Sequence, residues 1–274
     1  MKVSVIIPTY NEKKTIEACL TSLSKQTYKD LEIIVIDDGS TDKTKELIEN
    51  FKVKILTQNH KGPALARNLG SENAKGKVLV FVDADMTFDA NFIRNLIEPI
   101  KQGKTKGTFS KEEYVSNWDN IWAKCWNINS KLSTKRRLPK NYPDHQKVFR
   151  AILKSEFDKV SGFSKGGYTD DWTLSEKLGY ESESAKDAIF YHKNPDNLVE
   201  IFNQAKWIGK RDYKFGLIGS IYTLVKSSLP ISLTIGTAKS LINLNPYFLF
   251  FKIVYDFGIF VGILELIFIG KTSK

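Results

Sequence analysis

The stretch VLVFVDADMTF, Val78 to Phe88, runs five apolar residues together and then sets Asp83 and Asp85 one alanine apart. An unbroken apolar run of this length reads as a strand buried on both faces, as in a parallel sheet. A buried charge is expensive unless something compensates it, so two carboxylates at the end of such a strand call for a partner. Aspartates at i and i+2 past a strand end can turn the same way, and a common use of that pair is to hold a divalent cation shared with phosphates.

Working outward, the residues before this strand alternate between two periodicities. Val3–Ile7 reads as a strand ended by Pro8, and Leu31–Asp38 as a second buried strand. Val53–Leu56 reads as a short third. Between them, Ile16, Leu20 and Leu23 share one face of a helix over Thr15–Gln26. STDKTKELIENF opens with Ser40, Thr41 and Asp42, each able to accept from free N–H groups of a helix start. GPALARNLGSENA reads as a third helix. The order β-α-β-α-β-α-β predicts an α/β fold, a mostly parallel sheet with helices on both faces. Ligands of such sheets bind at the carboxyl ends of the strands. Pro8–Glu12, Asp37–Asp38 and Asp83–Asp85 all fall there.

Composition narrows the classes. The chain has 274 residues and 42% apolar content, enough for a sizeable core. Its 41 basic against 31 acidic residues leave a net charge of +10, which points to an anionic partner: nucleic acid, an acidic membrane surface or a phosphorylated substrate. The two cysteines, Cys19 and Cys125, form neither a metal-ligand spacing nor a disulfide framework, as expected in a reducing compartment. The apolar run of MKVSVIIPTYNE is too short for a signal peptide and is expected to be the first strand. P-loop and dinucleotide glycine patterns are missing from the sequence.

The middle is less regular. Glu112–Leu132 predicts a helix with Trp118, Trp122 and Trp126 on one face, packed on the sheet or, alternatively, resting at a membrane interface. A basic loop around Lys135, Arg136 and Arg137 follows. After about residue 200 the composition shifts. Leu217–Ala238 is apolar but interrupted by Lys226 and Pro230. Tyr247–Ile269 has the length of a membrane span yet carries Lys252, Asp256 and Glu265. Three central charges cost roughly 7–10 kcal/mol, which makes a simple span marginal. Lys252 and Asp256 stand four apart and are placed to pair. Helices lying in the interface or a re-entrant hairpin fit better than two clean spans, with a soluble helical subdomain as the competing reading. Two regions are therefore expected, a catalytic domain over 1–200 and a helical membrane-associated region over 201–274.

VFVDADMT also fits the D-x-D-x-T pattern of haloacid-dehalogenase-type phosphatases, but that motif ordinarily opens its domain, and no convincing downstream acidic partner follows. A second acidic cluster lies in GGYTDDWTLSEKLG, where Asp170 and Asp171 stand at a helix start. They serve either as simple caps or as a catalytic carboxylate.

Taken in order, VSVIIPTYNE, IIVIDDGSTDKT, GPALARNLG, FVDAD, VSGF…YTDDWTLSEKLG and AIFYH resemble the family 2 glycosyltransferases, inverting enzymes of the GT-A fold, across roughly residues 3–192. The tail resembles only loosely those members that attach to membranes. The resemblance implies a metal-dependent hexosyltransferase moving sugar from a uridine or guanosine diphosphate donor to an acceptor hydroxyl, lipid-linked or on a saccharide, by direct displacement. Pro8, Thr9, Tyr10 and Glu12 would line the nucleoside pocket with Ala84 of the D-x-D motif. Asp38 would read the base, and Arg67 would hold base or phosphate. Asp83 would face ribose and metal, Asp85 would ligate Mn²⁺ or Mg²⁺ directly, and His192 would be a further ligand. Asp171 would be the general base, in a motif that usually reads Glu-Asp and here reads Asp-Asp. Lys206, Lys210 and Arg211 would attract an acceptor or lipid phosphate. The expected partners are the donor, the acceptor and the cytoplasmic face of the cell membrane, not nucleic acid. A scaffold that kept this fold but lost its chemistry is the rival from another class.

Overall fold

The four expected strands and three helices fall where the apolar periodicity puts them. They are β1 (Val3–Thr9), α1 (Ile16–Ser24), β2 (Leu31–Asp37), α2 (Thr44–Glu49), β3 (Lys54–Thr57), α3 (Pro63–Glu72) and β4 (Val78–Phe81). The computed structural model describes residues 1–164, 170–211 and 213–270, with the side chains of Asp170 and Asp171 outside that description. The described chain divides into two units, Met1–Tyr114 with Leu138–His192, and Val115–Arg137 with Lys193–Lys274.

In the first unit β1 lies between β2 and β4 and β2 pairs with β3, all in parallel. The period of two sorts each strand's side chains onto opposite faces. Val3, Val5 and Ile7 of β1, with Val78 and Val80 of β4, pack against Ile16, Leu20 and Leu23 of α1 on one face. Ile6, Leu79 and Phe81 pack on the other against Ala64 and Ala66 of α3. A Cβ on Gly70 of α3 would stand 2.7 Å from both Ile6 and Ile36, so this position keeps the helix close to the sheet.

Pro8 does not end β1, which continues through Thr9 with Pro8 opposite Ile36. The Ile6 carbonyl accepts from Val82 on the β4 side, and the Thr9 carbonyl accepts from Asp38 on the β2 side. Two residues on from Ile6, Pro8 turns its missing donor toward β4, where ladder pairing has already stopped after Ile6–Phe81. Asp42, as expected, accepts from the Thr44 N–H at 3.0 Å at the start of α2.

Beyond β4 the sheet gains β9 (Ala151–Leu153), antiparallel to β4, then β6 (Gly107–Ser110), β10 (Ser182–Ala185) and β8 (His145–Gln146), giving the order β3-β2-β1-β4-β9-β6-β10-β8. Amphipathic α4 (Phe92–Lys101) buries Phe92, Ile93, Leu96 and Ile97 in the first core cluster. A second sheet of three short strands, β5 (Met86–Phe88), β11 (Phe190–His192) and β7 (Glu113–Val115), runs in the order β5-β11-β7.

The second unit is helical. Glu112–Leu132 is not one helix: β7 occupies its start, and only α5 (Ile121–Asn129) is helical, begun by the Asn120 side chain accepting from Trp122 and Ala123 N–H groups. Trp118 precedes it. The face expected to pack on the sheet sets Trp122 against Tyr247 and Trp126 against Tyr255 of α11 (Tyr247–Ile269), with ring centroids 5.9 and 5.5 Å apart. Aromatic rings prefer such edge-to-face contacts. The same helix buries Lys252 and Asp256, paired at 2.7 Å as their spacing predicts, and Ser232 donates to Asp256 at 2.6 Å.

Between α8 (Leu198–Gly209) and α11 the backbones meet almost bare. A Cβ on Gly262 would stand 2.1 Å from the Lys206 carbonyl oxygen, and one on Gly258 would stand 2.6 Å from that of Phe202. Glu265 of α11 closes the end of this seam, taking ion pairs from both Lys206 and Lys210. The remaining helices, α9 (Gly216–Lys226) and α10 (Leu229–Ile242), are bent by 59° at the break before Pro230. Among the described residues no single helix is long and apolar enough to cross a membrane, though this bent pair passes by length and composition. Leu217, Ile218, Ile221, Leu241 and Ile242 of the pair are exposed.

Candidate active site

At the carboxyl end of β4 the chain turns sharply. The Met86 N–H donates to the Asp83 carbonyl at 3.2 Å, so Asp83, Ala84 and Asp85 fill a turn between β4 and β5. Ala84 points into the core, while the carboxylates of Asp83 and Asp85 keep 34% and 36% of their surface. That turn is what separates the two aspartates from the buried strand and presents them together.

They have different partners. Arg67 of α3 donates from Nη2 to Asp83 at 2.9 Å, and Arg150 donates from Nη1 at 3.3 Å. Burial alone would push the Asp83 carboxyl up, but the two guanidiniums outweigh it and hold the group well below the usual carboxylate range. Arg67, expected at base or phosphate, is itself buried against Asp83. Asp85 lies 2.8 Å from His192 Nε2, and the other ring nitrogen of His192 lies 3.1 Å from Glu113. The small sheet makes this cluster: His192 sits opposite Met86 in the β5–β11 register, and β7 brings Glu113 along the other side of β11.

The loops after β1 and β2 are laced together. The Asn11 N–H donates to Ser40, and the Thr41 N–H donates back to Asn11 Oδ1 at 2.9 Å. Thr9 is buried and Tyr10 is exposed, its ring 4.0 Å from that of His60. Asp38 is buried and accepts from Gln58 at 2.6 Å and from the Lys61 and Gly62 N–H groups at 2.7 and 2.9 Å. Its carboxylate thereby sets the loop that leads into α3, where Gly62 takes a φ of +93° and Pro63 starts the helix. Glu12 accepts from Thr15 at 2.6 Å. Burial pushes its carboxyl up, and the charges of Asp85 and Asp83 push it further against the Thr15 hydrogen bond. Three carboxylates thus crowd one strand end.

Asn68, beside Arg67, exchanges two hydrogen bonds with Phe163, at 2.8 and 2.9 Å. Gly162 before it takes a φ of +67°, and a Cβ there would stand 2.5 Å from Asn68. The Arg-Asn pair of GPALARNLG therefore fixes two things, Asp83 and the segment entering the acidic loop. Asp171 stands at the start of α7 (Asp170–Leu178), and its side chain lies outside the described residues. Lys206, Lys210 and Arg211 belong to the second unit, the lysines paired with Glu265 and Arg211 lying over the Tyr213 ring at 5.8 Å. Among the described residues no three His, Cys, Asp or Glu side chains stand together as a complete metal cage.

Arg150 and Glu113 were not singled out by sequence. Each stands at a strand end in the less regular half, where a charged residue before an apolar run is an ordinary occurrence.

The sequence matches the glycosyl transferase family 2 model over residues 4–161. A dolichol-phosphate mannosyltransferase of Pyrococcus furiosus is 29% identical, the match covering 90% of this chain and 79% of that one. Two longer glycosyltransferases of Streptococcus pneumoniae each match 36% of this chain, which spans only 35% and 15% of their lengths. Among solved structures, the mannosyltransferase PcManGT of Pyrobaculum calidifontis, in complex with GDP-Man and Mn²⁺, superposes with a TM-score of 0.63 at 18% identity, over 98% of this chain and 88% of that one. Staphylococcus aureus TarS 1–349 with UDP-GlcNAc gives 0.59 at 17% identity, over 100% and 93%. These likenesses establish the GT-A-like α/β fold, with a mainly parallel central sheet flanked by helices.

Proposed function

As the chain belongs to glycosyl transferase family 2, we propose that it moves a sugar from a UDP- or GDP-sugar to the hydroxyl of a lipid-linked acceptor, inverting the anomeric carbon. The observation that carries this reading is the pairing of Asp85 with His192 at the end of β4, beside an Asp83 already neutralised by two arginines. The structural neighbours hold GDP-Man and UDP-GlcNAc, which supports a nucleoside diphosphate donor.

The donor set fits Mn²⁺ or Mg²⁺. Asp85 supplies a hard oxygen and His192 an imidazole nitrogen, 2.8 Å apart, and the Glu12 carboxylate adds negative charge close by, while the charge of Asp83 is met by Arg67 and Arg150. Two protein donors with the remaining positions open suit an ion shared with substrate phosphates better than a closed cage. When bound, the ion supplies Lewis-acid stabilisation of the charge that develops on the departing diphosphate. Pro8, Thr9, Tyr10 and Asp38 shape the pocket for the nucleoside, with Tyr10 and His60 offering ring faces. Ala84 lets the backbone of the motif turn tightly. Asp171 accepts the proton of the acceptor hydroxyl as its oxygen bonds to the anomeric carbon and the bond to the diphosphate breaks. The D-x-D-x-T phosphatase reading would need Asp83 as nucleophile, and a carboxylate held by two guanidiniums is poorly suited to attack.

A panel of nucleotide sugars with Mn²⁺, followed by thermal shift, tests the donor. A ligand at a hundred times its dissociation constant is expected to add about 2.7 kcal/mol of stability, and the true donor should also turn over with a lipid-phosphate acceptor. No shift and no turnover with any UDP- or GDP-sugar would favour the scaffold reading.

The exposed apolar helices of the second unit and the 29% identical relative named for dolichol phosphate support a lipid-linked acceptor and a membrane contact. Exposed Leu217, Ile218, Ile221, Leu241 and Ile242 are apolar side chains suited to lie in a bilayer interface, and in this reading the basic residues on both flanks favour the cytoplasmic face. In this reading catalysis is assigned within 1–200 and membrane association within 201–274, with 115–137 packing in the same unit as the latter. The full chain is expected to float with phosphatidylcholine–phosphatidylglycerol vesicles. Replacing Leu217, Ile218 and Ile221 by asparagine should weaken that partition about tenfold or more; equal flotation of the variant would remove α9 from the contact.

A further inference from the structure

Glu113 has no role in the reaction as described so far, yet its carboxylate, only 14% exposed, lies 3.1 Å from His192 Nδ1 on the side of the ring away from Asp85. Burying a carboxylate there is unfavourable unless it meets a donor. The geometry has a specific consequence for the ring. With Nδ1–H donated to Glu113, the lone pair of Nε2 is turned toward Asp85, where a cation would be met by the nitrogen and the carboxylate together.

We infer that Glu113 is a positioning residue, which holds His192 with Nε2 directed at Asp85 so that the two present a preset oxygen–nitrogen pair to a divalent cation. The inference rests on the metal reading above. It assigns Glu113 no contact with the cation or the sugar; it acts through the ring. A ligating histidine commonly donates its second N–H to a carboxylate, which orients the ring and raises its basicity, and loss of that partner weakens metal affinity about ten- to hundredfold. The arrangement depends on β7 lying beside β11, because only that strand order puts residue 113 next to residue 192.

The test is Mn²⁺ alone, titrated into the full chain and followed by the electron paramagnetic resonance of the free ion, without donor or acceptor. Glu113→Ala is expected to weaken binding about ten- to hundredfold. Glu113→Gln, which retains an oxygen acceptor for Nδ1–H, is expected to lose less, and it decides the matter if the alanine variant is poorly folded. Nitrogen-15 spectra of histidine in the chain loaded with diamagnetic Mg²⁺ report the tautomer directly: the ordered Nδ1–H form of His192 in the wild type should give way to a mixture in Glu113→Ala. The chain has 3 histidines, so His192→Ala assigns the signal. Mn²⁺ affinity and tautomer unchanged in both Glu113 variants, with His192→Ala weakened, would overturn the positioning role alone. Wild type failing to bind Mn²⁺, or His192→Ala binding it as tightly as wild type, would overturn the metal reading beneath it.

Discussion

Asp171→Asn is expected to abolish sugar transfer while leaving donor affinity within about twofold of wild type, the pattern of an interaction made only in the transition state. A hydroxyl attacks poorly until its proton is accepted, and a positioned base contributes about 10²- to 10⁴-fold. The amide is nearly isosteric but has no basic oxygen to take the proton. The local frame should survive, because it is built from other groups: Asn68 and Phe163 exchange hydrogen bonds, and Ser164 N–H donates to Thr173 at 3.1 Å. Asp170→Asn serves as the control, since the family's motif aligns the second acid of the pair with the base. Calorimetry with the nucleotide sugar and a turnover assay decide between them. Normal turnover in Asp171→Asn removes it from the role, and loss in Asp170→Asn alone transfers the role to its neighbour.

Asp85→Ala should be nearly as damaging, with turnover down about 10³-fold and Mn²⁺ affinity lost in parallel. Removing one electrostatic stabiliser of a developing charge typically costs 10²- to 10³-fold, and this change removes a ligand besides. Fold stability should move little, since Asp85 is 36% exposed and crowded by Glu12 and Asp83 rather than paired with an arginine. Asp83→Ala makes the contrasting comparison, because it removes the carboxylate that pairs with both Arg67 and Arg150 and so breaks a partly buried ion-pair network. A melting temperature for Asp85→Ala near wild type, together with lost transfer, supports the division between the two aspartates. Less than tenfold loss of turnover would exclude Asp85 from the chemistry.

The first four strands were legible because each is a short apolar run closed by a turn signal, and parallel order follows from the helices between them. Of the later strands only the one ending in His192 was legible, and that through the resemblance of AIFYH rather than through periodicity. Ala151–Leu153 and Phe190–His192 are three residues long and take their identity from the neighbours they pair with, β4 and β5. Short segments of that kind carry almost no periodicity of their own. The site divides the same way. Asp83, Asp85 and His192 stand in motifs with a recognisable order, whereas Arg150 and Glu113 reach them only through antiparallel pairing and the small second sheet. The tryptophan spacing of Trp118, Trp122 and Trp126 pointed correctly to a buried face for Trp122 and Trp126 but not to its partner, since period alone says that a face is covered and not by what.

The chain passes from one unit to the other three times, after Tyr114, after Arg137 and after His192. The catalytic unit therefore cannot be isolated with a single stop codon near residue 200: that cut would strip α5 of Phe248, Phe251 and Tyr255 and leave Trp122 and Trp126 bare to solvent. Excising 115–137 as well, and splicing a short polar bridge between the flanking strand and Leu138, is the genetic surgery that this threading demands.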